Sequence, residues 1–376
     1  MSLNSINPMQ GLMGGSLIGL SAATLLLFNG DILGASGLMS SFVIAPMRNL
    51  SDPSQQWKLA FLASFCFTTR LYLRMIDSDA LIEEMPGGLP IVSSLGFVIG
   101  GFCVGFGTKR GNGCTSGHGI CGLARLSTRS LAAVLSFMTS GIVTSTILCA
   151  AASPFRQDIT STAENLPTDA TLNIGTVIAA LAIGVTMQAF LRKTPQNINT
   201  PEKEELDNSR RKIIPAAISA TFFSVGLMVS KMTLSSKVLG FLNVNGFKDG
   251  TWDPTLAFVM GGGLIVSFLS YQWVKGFNCF SNVNALECPL GQKDSLGKFN
   301  VPTNAVIDSK LLIGEAIFGL GWGIAGLCPG PAMVHACAGY PNVLFRWWPG
   351  FFIGSYLAEH FESLTSKLHL SRKDIK

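Results

Sequence analysis

The segment GNGCTSGHGICGLARLS, residues 111–127, follows a long apolar run and contains five glycines, two cysteines and one histidine. Glycine allows close backbone approach and unusual dihedral angles, so we expect a regular helix to break here. A short helix that starts near Ser116 would direct its free backbone N–H groups and its positive dipole end toward Cys114. Such a helix end binds anions without a fixed counter-charge. The segment therefore predicts a broken or re-entrant helix with an anion site at its start.

A second segment of this kind is FGLGWGIAGLCPGPAMV, residues 318–334. Pro329 and Pro331 break the end of an apolar run, and Pro331 suits the first turn of a new short helix. Cys328 lies at this break, as Cys114 lies at the other. Two thiols and two helix N-termini are thus expected along one path.

The composition around these segments is that of a membrane protein. Hydrophobic residues make up 48% of the 376-residue chain and charged residues 13%, whereas soluble domains carry about 25% charge. The 41 glycines suit closely packed membrane helices. A net charge of +5 is small for this length and does not suggest a nucleic-acid partner. The first apolar run lacks a preceding Lys or Arg, which argues against a cleaved signal peptide.

A membrane-spanning helix needs about 20 mostly apolar residues, and this rule predicts an all-α integral membrane protein with about nine transmembrane helices. The predicted spans are residues 10–29, 56–75, 89–107, 130–152, 171–191, 213–233, 255–274, 309–327 and 343–361. Four Gly-rich, weakly polar connections are expected to fold back as short re-entrant helices. These connections are residues 30–46, 108–128, 235–248 and 328–340.

The chain also resembles itself. Residues 19–34 (GLSAATLLLFNGDILG) are similar to residues 226–240 (GLMVSKMTLSSKVLG). The predicted parts are a first transmembrane half at 1–170, a connecting helix and polar linker at 171–212, and a second transmembrane half at 213–376. Because an odd number of spans separates each element from its copy, the halves are expected to form two inverted-topology repeats. Transporters commonly use inverted repeats and place the binding site between them.

Loop charges predict the orientation. With nine spans, most of the 27 lysines and arginines fall on one side of the membrane. The positive-inside rule then places the N-terminus outside and the C-terminus in the cytoplasm, and we expect a multi-pass protein of the plasma (inner) membrane.

The candidate site residues lie mainly on the two cysteine segments. The predicted substrate path comprises Gly113, Cys114, Thr115, Ser116, Gly117, His118, Cys121, Cys328, Pro329 and Gly330, with Ser36, Cys103 and Arg125 as secondary candidates. The alternative interpretation is that Cys114 and Cys328 are ordinary packing residues. For Cys328, the Cys-Pro-Gly-Pro sequence at a helix break disfavours this alternative. Cys103 and Cys121 are equally compatible with packing. The other five cysteines are interpreted as core or loop residues without a disulfide framework, namely Cys66, Cys149, Cys279, Cys288 and Cys337.

Other polar residues leave alternatives open. His118 lies between Cys114 and Cys121, but structural zinc needs four ligands and the sequence offers no evident fourth. We therefore predict no metal and no cofactor, and a neutral His118 that holds the loop. Glu315 either couples protons or lies near the membrane interface, and its place early in a span favours the interface. Arg125 either attracts anions or marks the cytoplasmic side.

Three stretches resemble the YeeE/YedE sulfur-transport family. They are residues 111–127, residues 299–332 (FNVPTNAVIDSKLLIGEAIFGLGWGIAGLCPGPA) and residues 29–38 (NGDILGASGL). The resemblance covers about residues 11–360 and implies a thiosulfate uptake protein with an hourglass-like inverted-repeat fold. By motif, the family's pathway cysteines fall on Cys114 and Cys328.

This sequence differs from the YeeE/YedE family pattern in two respects. Some family members carry a further pathway cysteine in the first loop, where this chain has Ala35 and Ser36. Some members are fused to, or pair with, a TusA-type sulfur carrier, and we recognise no such domain in this sequence. A carrier of that type would therefore be a separate partner.

Motifs and resemblance together predict a permease or channel, not an enzyme, for thiosulfate or a related sulfur anion. Helix N-termini can hold the oxygens of this dianion, while S–H···S contacts stay weak enough for release. A lysine or arginine at the midplane would bind harder and cost several kcal/mol to bury. The alternatives are a membrane sulfurtransferase that forms a cysteine persulfide, a transporter of another sulfur or selenium species, and a structural subunit.

Overall fold

The computed structural model describes residues 7–77, 81, 91–150, 154–157, 209–278 and 299–373. These residues are almost entirely helical, apart from one two-residue antiparallel pair of β1 (Ile91–Val92) with β2 (Arg156–Gln157). The predicted span at 171–191, most of the predicted polar linker, Cys279 and Cys288 lie outside the described residues.

Among its described residues, the first half contains six α-helices and, besides a π-helical turn that continues α1, one separate π-helical segment. They are α1 (Pro8–Thr24, continued by a π-helical turn at Leu25–Asn29), α2 (Ala35–Ile44), α3 (Pro46–Ser51), α4 (Gln56–Met75), α5 (Ser94–Gly111), the π-helical segment Thr115–Gly122, and α6 (Thr128–Ala150). A 3₁₀ turn at Pro53–Gln55 precedes α4. The short elements α2 and Thr115–Gly122 fall within connections that the sequence predicts to fold back.

The second half follows a similar order. Its helices are α7 (Ile213–Val229), α8 (Ser235–Leu242), α9 (Gly246–Asp249), α10 (Thr255–Val274), α11 (Ser309–Ala325), α12 (Pro329–Ala338) and α13 (Trp348–Lys373, preceded by a π-helical turn at Val343–Trp347). The short helices α8 and α12 again occupy predicted fold-back connections. In both halves the described residues begin with a long helix, two short helices and two long ones, and they end with a further short element and a final long helix.

Within the described residues, four helical stretches are long and apolar enough to cross a membrane. They are Pro8–Asn29, Thr128–Leu148, Ser209–Val229 and Thr255–Val274. The bent pair α11–α12, with 42° between its helices, meets the same criterion as one broken span. Each of the eight predicted spans that reach the described part of the chain overlaps a helix, although the span predicted at 89–107 begins with β1 before α5. The total of nine spans stays a prediction.

The α6 helix presents an apolar face to its surroundings. Leu131, Leu135, Val143 and Ile147 are each at least half exposed and recur at multiples of four residues. Side chains with this spacing share one face of a helix. Because such a stripe would be unfavourable in water, this face is suited to contact with lipid.

Glycines bring the long helices into direct backbone contact. A Cβ added to Gly15 of α1 would strike the backbone of Val259 in α10. A Cβ added to Gly105 of α5 would strike the carbonyl oxygen of Phe351 in α13. Small residues at helix interfaces are typical of membrane helix packing, and they account for part of the high glycine content.

A disulfide joins Cys66 of α4 to Cys337 of α12, with 5.2 Å between their Cα atoms. The expectation of no disulfide was therefore wrong for these two cysteines, although Cys337 lies in the core and Cys66 packs against it, as interpreted. The pairing links positions 271 residues apart, and no local pattern reveals such a contact. The disulfide attaches the short helix that begins after Cys328 to a long neighbouring helix.

Candidate functional site

Cys114 and Cys328 both stand immediately before a short helical element. Cys114 is the N-cap of Thr115–Gly122, and its carbonyl accepts a hydrogen bond from the backbone N–H of His118 at 2.8 Å. Cys328 is the N-cap of α12, and its carbonyl accepts one from Ala332 at 3.1 Å. Both side chains are buried free thiols. Each thiol therefore lies at the positive end of a helix dipole.

Side-chain hydrogen bonds connect these helix starts. Thr115 Oγ1 donates to Cys328 Sγ at 3.4 Å. Ser116 Oγ lies 3.3 Å from Cys114 Sγ and accepts a bond from the backbone N–H of Ala35 at 3.4 Å. Ala35 is the first residue of α2. The starts of α2, of the π-helical segment and of α12 thus form one polar cluster.

The start of α8 lies against the same cluster. Gly326, which has a left-handed φ of +66°, forms the turn between α11 and Cys328. A Cβ on this glycine would lie 2.8 Å from the carbonyl oxygen of Ser235, the first residue of α8. The backbone therefore leaves no room for a side chain here.

A vestibule of about 490 Å³ that is lined by several charged side chains opens on one side of the cluster. Lys58, Lys109 and Arg125 line it, with Asp31 as the one acidic lining residue that the structure describes. Ser36, Gly113, Gly117 and His118 also face this cavity. The excess of cations over anions makes the vestibule suitable for a negatively charged solute.

An apolar chamber of about 320 Å³ lies on the other side. Its polar end consists of Cys114, Thr115, Ser116 and Cys328. The remaining wall includes Met138, Met232, Met260, Phe223, Gly330 and Trp322. Three thioethers and two thiols give this chamber a soft, polarizable lining. Residues 113–118 therefore separate the two cavities, with some side chains facing each.

His118 is held by two polar neighbours. Its Nδ1 lies 3.0 Å from Ser130 Oγ, and its Nε2 lies 3.4 Å from the carbonyl oxygen of Gly111. This arrangement fixes the ring against α5 and α6, in keeping with the predicted role of holding the loop. Within the described ranges, no three His, Cys, Asp or Glu side chains are grouped as metal ligands.

Glu315 of α11 does not contact water. Its side chain is 0% exposed, and its Oε1 lies 3.5 Å from His118 Nε2. The side chain is therefore buried inside the protein, and its predicted place near the membrane interface stays a prediction. Gly111 and Gly314 create this site, because a Cβ on Gly111 would strike the carboxylate and one on Gly314 would overlap the backbone of α5.

Comparison with known proteins places the chain among transporters. Residues 211–369 match a family described as "Family of unknown function (DUF6691)". A "Probable transporter" of Xylella fastidiosa strain Temecula1 is 37% identical over 129 residues, which cover 34% of this chain and 76% of the relative. A second "Probable transporter" of that strain is 34% identical over 137 residues, covering 36% of this chain and 92% of the relative. The chain belongs to this family of probable transporters. Both relatives are less than half as long as the present chain.

Ten of the predicted site residues of this family member line one of the two cavities. Ser36, Gly113, Gly117, His118 and Arg125 line the vestibule, and Cys114, Thr115, Ser116, Cys328 and Gly330 line the chamber. Pro329 is buried in the first turn of α12. Arg125 also donates a hydrogen bond to the carbonyl of Pro302 at 2.6 Å.

Two predicted cysteines lie outside both cavities. Cys121 is buried and donates to the carbonyl of Leu33 at 3.6 Å. Cys103 is half-buried on α5, where it packs against Gly321 of α11. Their positions are those of packing residues, which the sequence left as an alternative.

Several residues of the site were missed from the sequence. Lys58 and Lys109 contribute vestibule charge, and Met232, Met260 and Trp322 form the chamber wall. The Trp322 indole N–H has no hydrogen-bond partner in the part of the chain that the structure describes. In the sequence, these residues lie in apolar helices or at helix ends. Ordinary packing and loop residues occupy the same positions, so the sequence does not mark them as site residues.

Proposed function

We propose that this protein carries a small sulfur-containing anion, with thiosulfate as the leading candidate, across a lipid bilayer along Cys114 and Cys328. The observation that carries the proposal is the bond from Thr115, the residue after the helix-capping Cys114, to the helix-capping Cys328. This bond lies at the polar end of a sulfur-lined chamber, and a basic vestibule lies on the other side of residues 113–118. Family membership among probable transporters supports the general role.

The polar cluster suits a compact anion with one soft atom. Backbone N–H groups at the starts of Thr115–Gly122 and α12 can hold the oxygens, since helix N-termini favour negative charge. The thiols of Cys114 and Cys328 can contact the terminal sulfur through weak bonds. A site that holds the ion only moderately permits both entry and release.

The vestibule would receive the anion on the far side of the cluster. Lys58, Lys109 and Arg125 belong to the side with more lysines and arginines, which the positive-inside rule assigns to the cytoplasm. Uptake would then run from the chamber to the vestibule of a plasma (inner) membrane protein. A TusA-type carrier, the partner that the YeeE/YedE resemblance implies, would meet the protein at the vestibule.

An inverted repeat fits the position of the site. The same order of long and short helices occurs in residues 8–150 and 213–373, and relatives less than half as long exist. If each order is one half inserted with opposite topology, the two cysteine segments enter from opposite faces. Their meeting at Thr115 and Cys328 is the geometry expected between such halves.

The test is uptake of labelled thiosulfate into proteoliposomes at equal reconstitution. Cys114→Ala and Cys328→Ala are expected to lower the initial rate by at least about tenfold, because each removes a thiol that contacts the passing ion. Cys103→Ala serves as the matched control, since its thiol lies outside both cavities. Equal rates in all four proteins would overturn the cysteine path, and a persulfide on either cysteine during uptake would favour a sulfurtransferase.

A further inference from the structure

The molecule contains a buried carboxylate that anion passage along the cysteines does not explain. Glu315 is completely buried, and neither of its oxygens accepts a hydrogen bond from the residues that the structure describes. A charged carboxylate in such a place is strongly disfavoured unless it has a cationic neighbour or holds a proton. Its burial therefore requires a compensating proton.

The nearest group that can supply this proton is His118. Its Nε2 lies 3.5 Å from Glu315 Oε1, a separation at which a protonated imidazole forms an ion pair. His118 also lines the vestibule, and 7% of its side chain is exposed, so a small part of the ring faces that cavity. The two residues therefore connect a buried carboxylate with the aqueous side of the path.

The other titratable groups around Glu315 do not replace this proton. Arg129 of α6 acts on it only at a distance, because its guanidinium donates to the carbonyl of Val306 and to Asp308. On α5, Lys109 pairs with Glu359 at 2.8 Å and Arg110 lies over the ring of Phe361 at 5.2 Å. From the π-helical segment, the Cys114 thiol acts electrostatically on the carboxylate.

We propose that Glu315 and His118 form a proton-binding pair that couples movement of the anion to movement of a proton. This inference rests on the proposed function and adds its driving force. Without the extra proton the pair is a neutral imidazole beside a carboxylate, with a net charge of −1. With it, the pair is either imidazolium and carboxylate or imidazole and carboxylic acid, and its net charge is zero.

Coupling follows from the position of the pair beside Cys114. An anion at the cluster of Cys114 and Ser116 repels the unprotonated pair and therefore favours binding of the proton. By linkage, a bound proton favours the anion by the same factor. The pair gains one proton from the side from which the anion enters, and loses it through His118 to the vestibule as the anion leaves.

The test follows proton and anion together in proteoliposomes that enclose a pH-sensitive dye. Potassium and valinomycin clamp the membrane potential, and thiosulfate is added outside without a pH gradient. We expect the wild type to acidify the interior as thiosulfate enters, and an imposed acidic exterior to drive accumulation. Glu315→Gln should reduce acidification by at least about tenfold. Asp52→Asn, which changes a carboxylate paired with the exposed Arg48, should acidify like the wild type.

The outcomes separate the two proposals. Thiosulfate uptake by the wild type without acidification and without response to the gradient would overturn the coupling and leave the proposed function standing. Full acidification by a folded Glu315→Gln would overturn the role of this carboxylate. No thiosulfate uptake by the wild type would overturn the proposed function and the coupling with it. The wild-type dye measurement decides the coupling even if Glu315→Gln does not fold.

Discussion

Thr115 and Cys328 are 213 residues apart in the chain, yet the hydroxyl of one donates a hydrogen bond to the thiol of the other at 3.4 Å. The bond joins the start of the π-helical segment to the start of α12 at the polar end of the chamber. The bond fixes the position of one cysteine segment relative to the other. The polar end of the chamber therefore depends on contacts between the two halves of the chain.

The Thr115 hydroxyl can be removed with little change in volume. Thr115→Val should lower the initial rate of thiosulfate uptake by about two- to tenfold, the range expected for loss of one hydrogen bond. Thr115→Ser keeps the hydroxyl and should retain most of the rate. Equal rates for the valine and serine variants would show that the bond to Cys328 does not position the path.

Glycine contacts between helices should determine stability. Gly105→Ala places a methyl group against the carbonyl oxygen of Phe351, so α5 and α13 must separate. We expect a clear fall in the thermal unfolding temperature of the detergent-solubilised protein. Gly261→Ala in α10 is the matched control, because its new methyl group meets open space and alanine favours a helix by about 1 kcal/mol over glycine. A Gly105→Ala protein as stable as the wild type would contradict this packing.

The disulfide between Cys66 and Cys337 should stabilise the fold. A native disulfide typically contributes about 2–4 kcal/mol, so Cys337→Ser is expected to lower the unfolding temperature. Cys66→Ser should have the same effect, and the double variant should lose no more than either single one. Mass spectrometry without reductant would report the linked peptides, and free thiols at both positions would refute the bond.

Asp308 predicts a pH-dependent contribution to stability at the start of α11. Its carboxylate accepts a hydrogen bond from the Leu311 backbone N–H at 3.1 Å. That bond, aided by Arg129, lowers the pKa of Asp308 below its ordinary value of 3.8. Because the folded-state pKa is the lower one, the contribution is complete above the unfolded value and is lost as the pH falls through the folded value.

Asp308→Asn isolates this contribution, since asparagine can also cap a helix but carries no charge. The unfolding temperature of the wild type should exceed that of Asp308→Asn at pH 7. The difference should shrink as the pH falls below about 4, where the aspartate becomes protonated. A difference that does not change with pH would mean that the charge of Asp308 has no part in stability.

The breaks in the fold could be predicted from local sequence because glycine and proline act locally. The short helix α12 begins at Pro329, so that Pro331 lies in its first turn as predicted, and the π-helical segment begins one residue before Ser116. The bounds of α4 and α10 also agree with the predicted spans, since long apolar runs determine them directly.

The contacts between distant segments could not be predicted in this way. Glu315 is buried because Gly111 on another helix leaves space for it, and no pattern within α11 signals that glycine. Cys66 and Cys337 meet only through tertiary packing. The same holds for the chamber wall, where Met232 and Met260 have sequence surroundings like those of ordinary core residues.

The most direct test of sulfur-anion transport compares labelled thiosulfate with labelled sulfate in the same proteoliposomes. Both are tetrahedral dianions, but only thiosulfate has a soft terminal sulfur for Cys114 and Cys328. We predict that the wild type takes up thiosulfate at least about tenfold faster than sulfate, and that a Cys114→Ala, Cys328→Ala double variant loses this preference. Thiosulfate uptake by the wild type no faster than in protein-free liposomes would contradict the account.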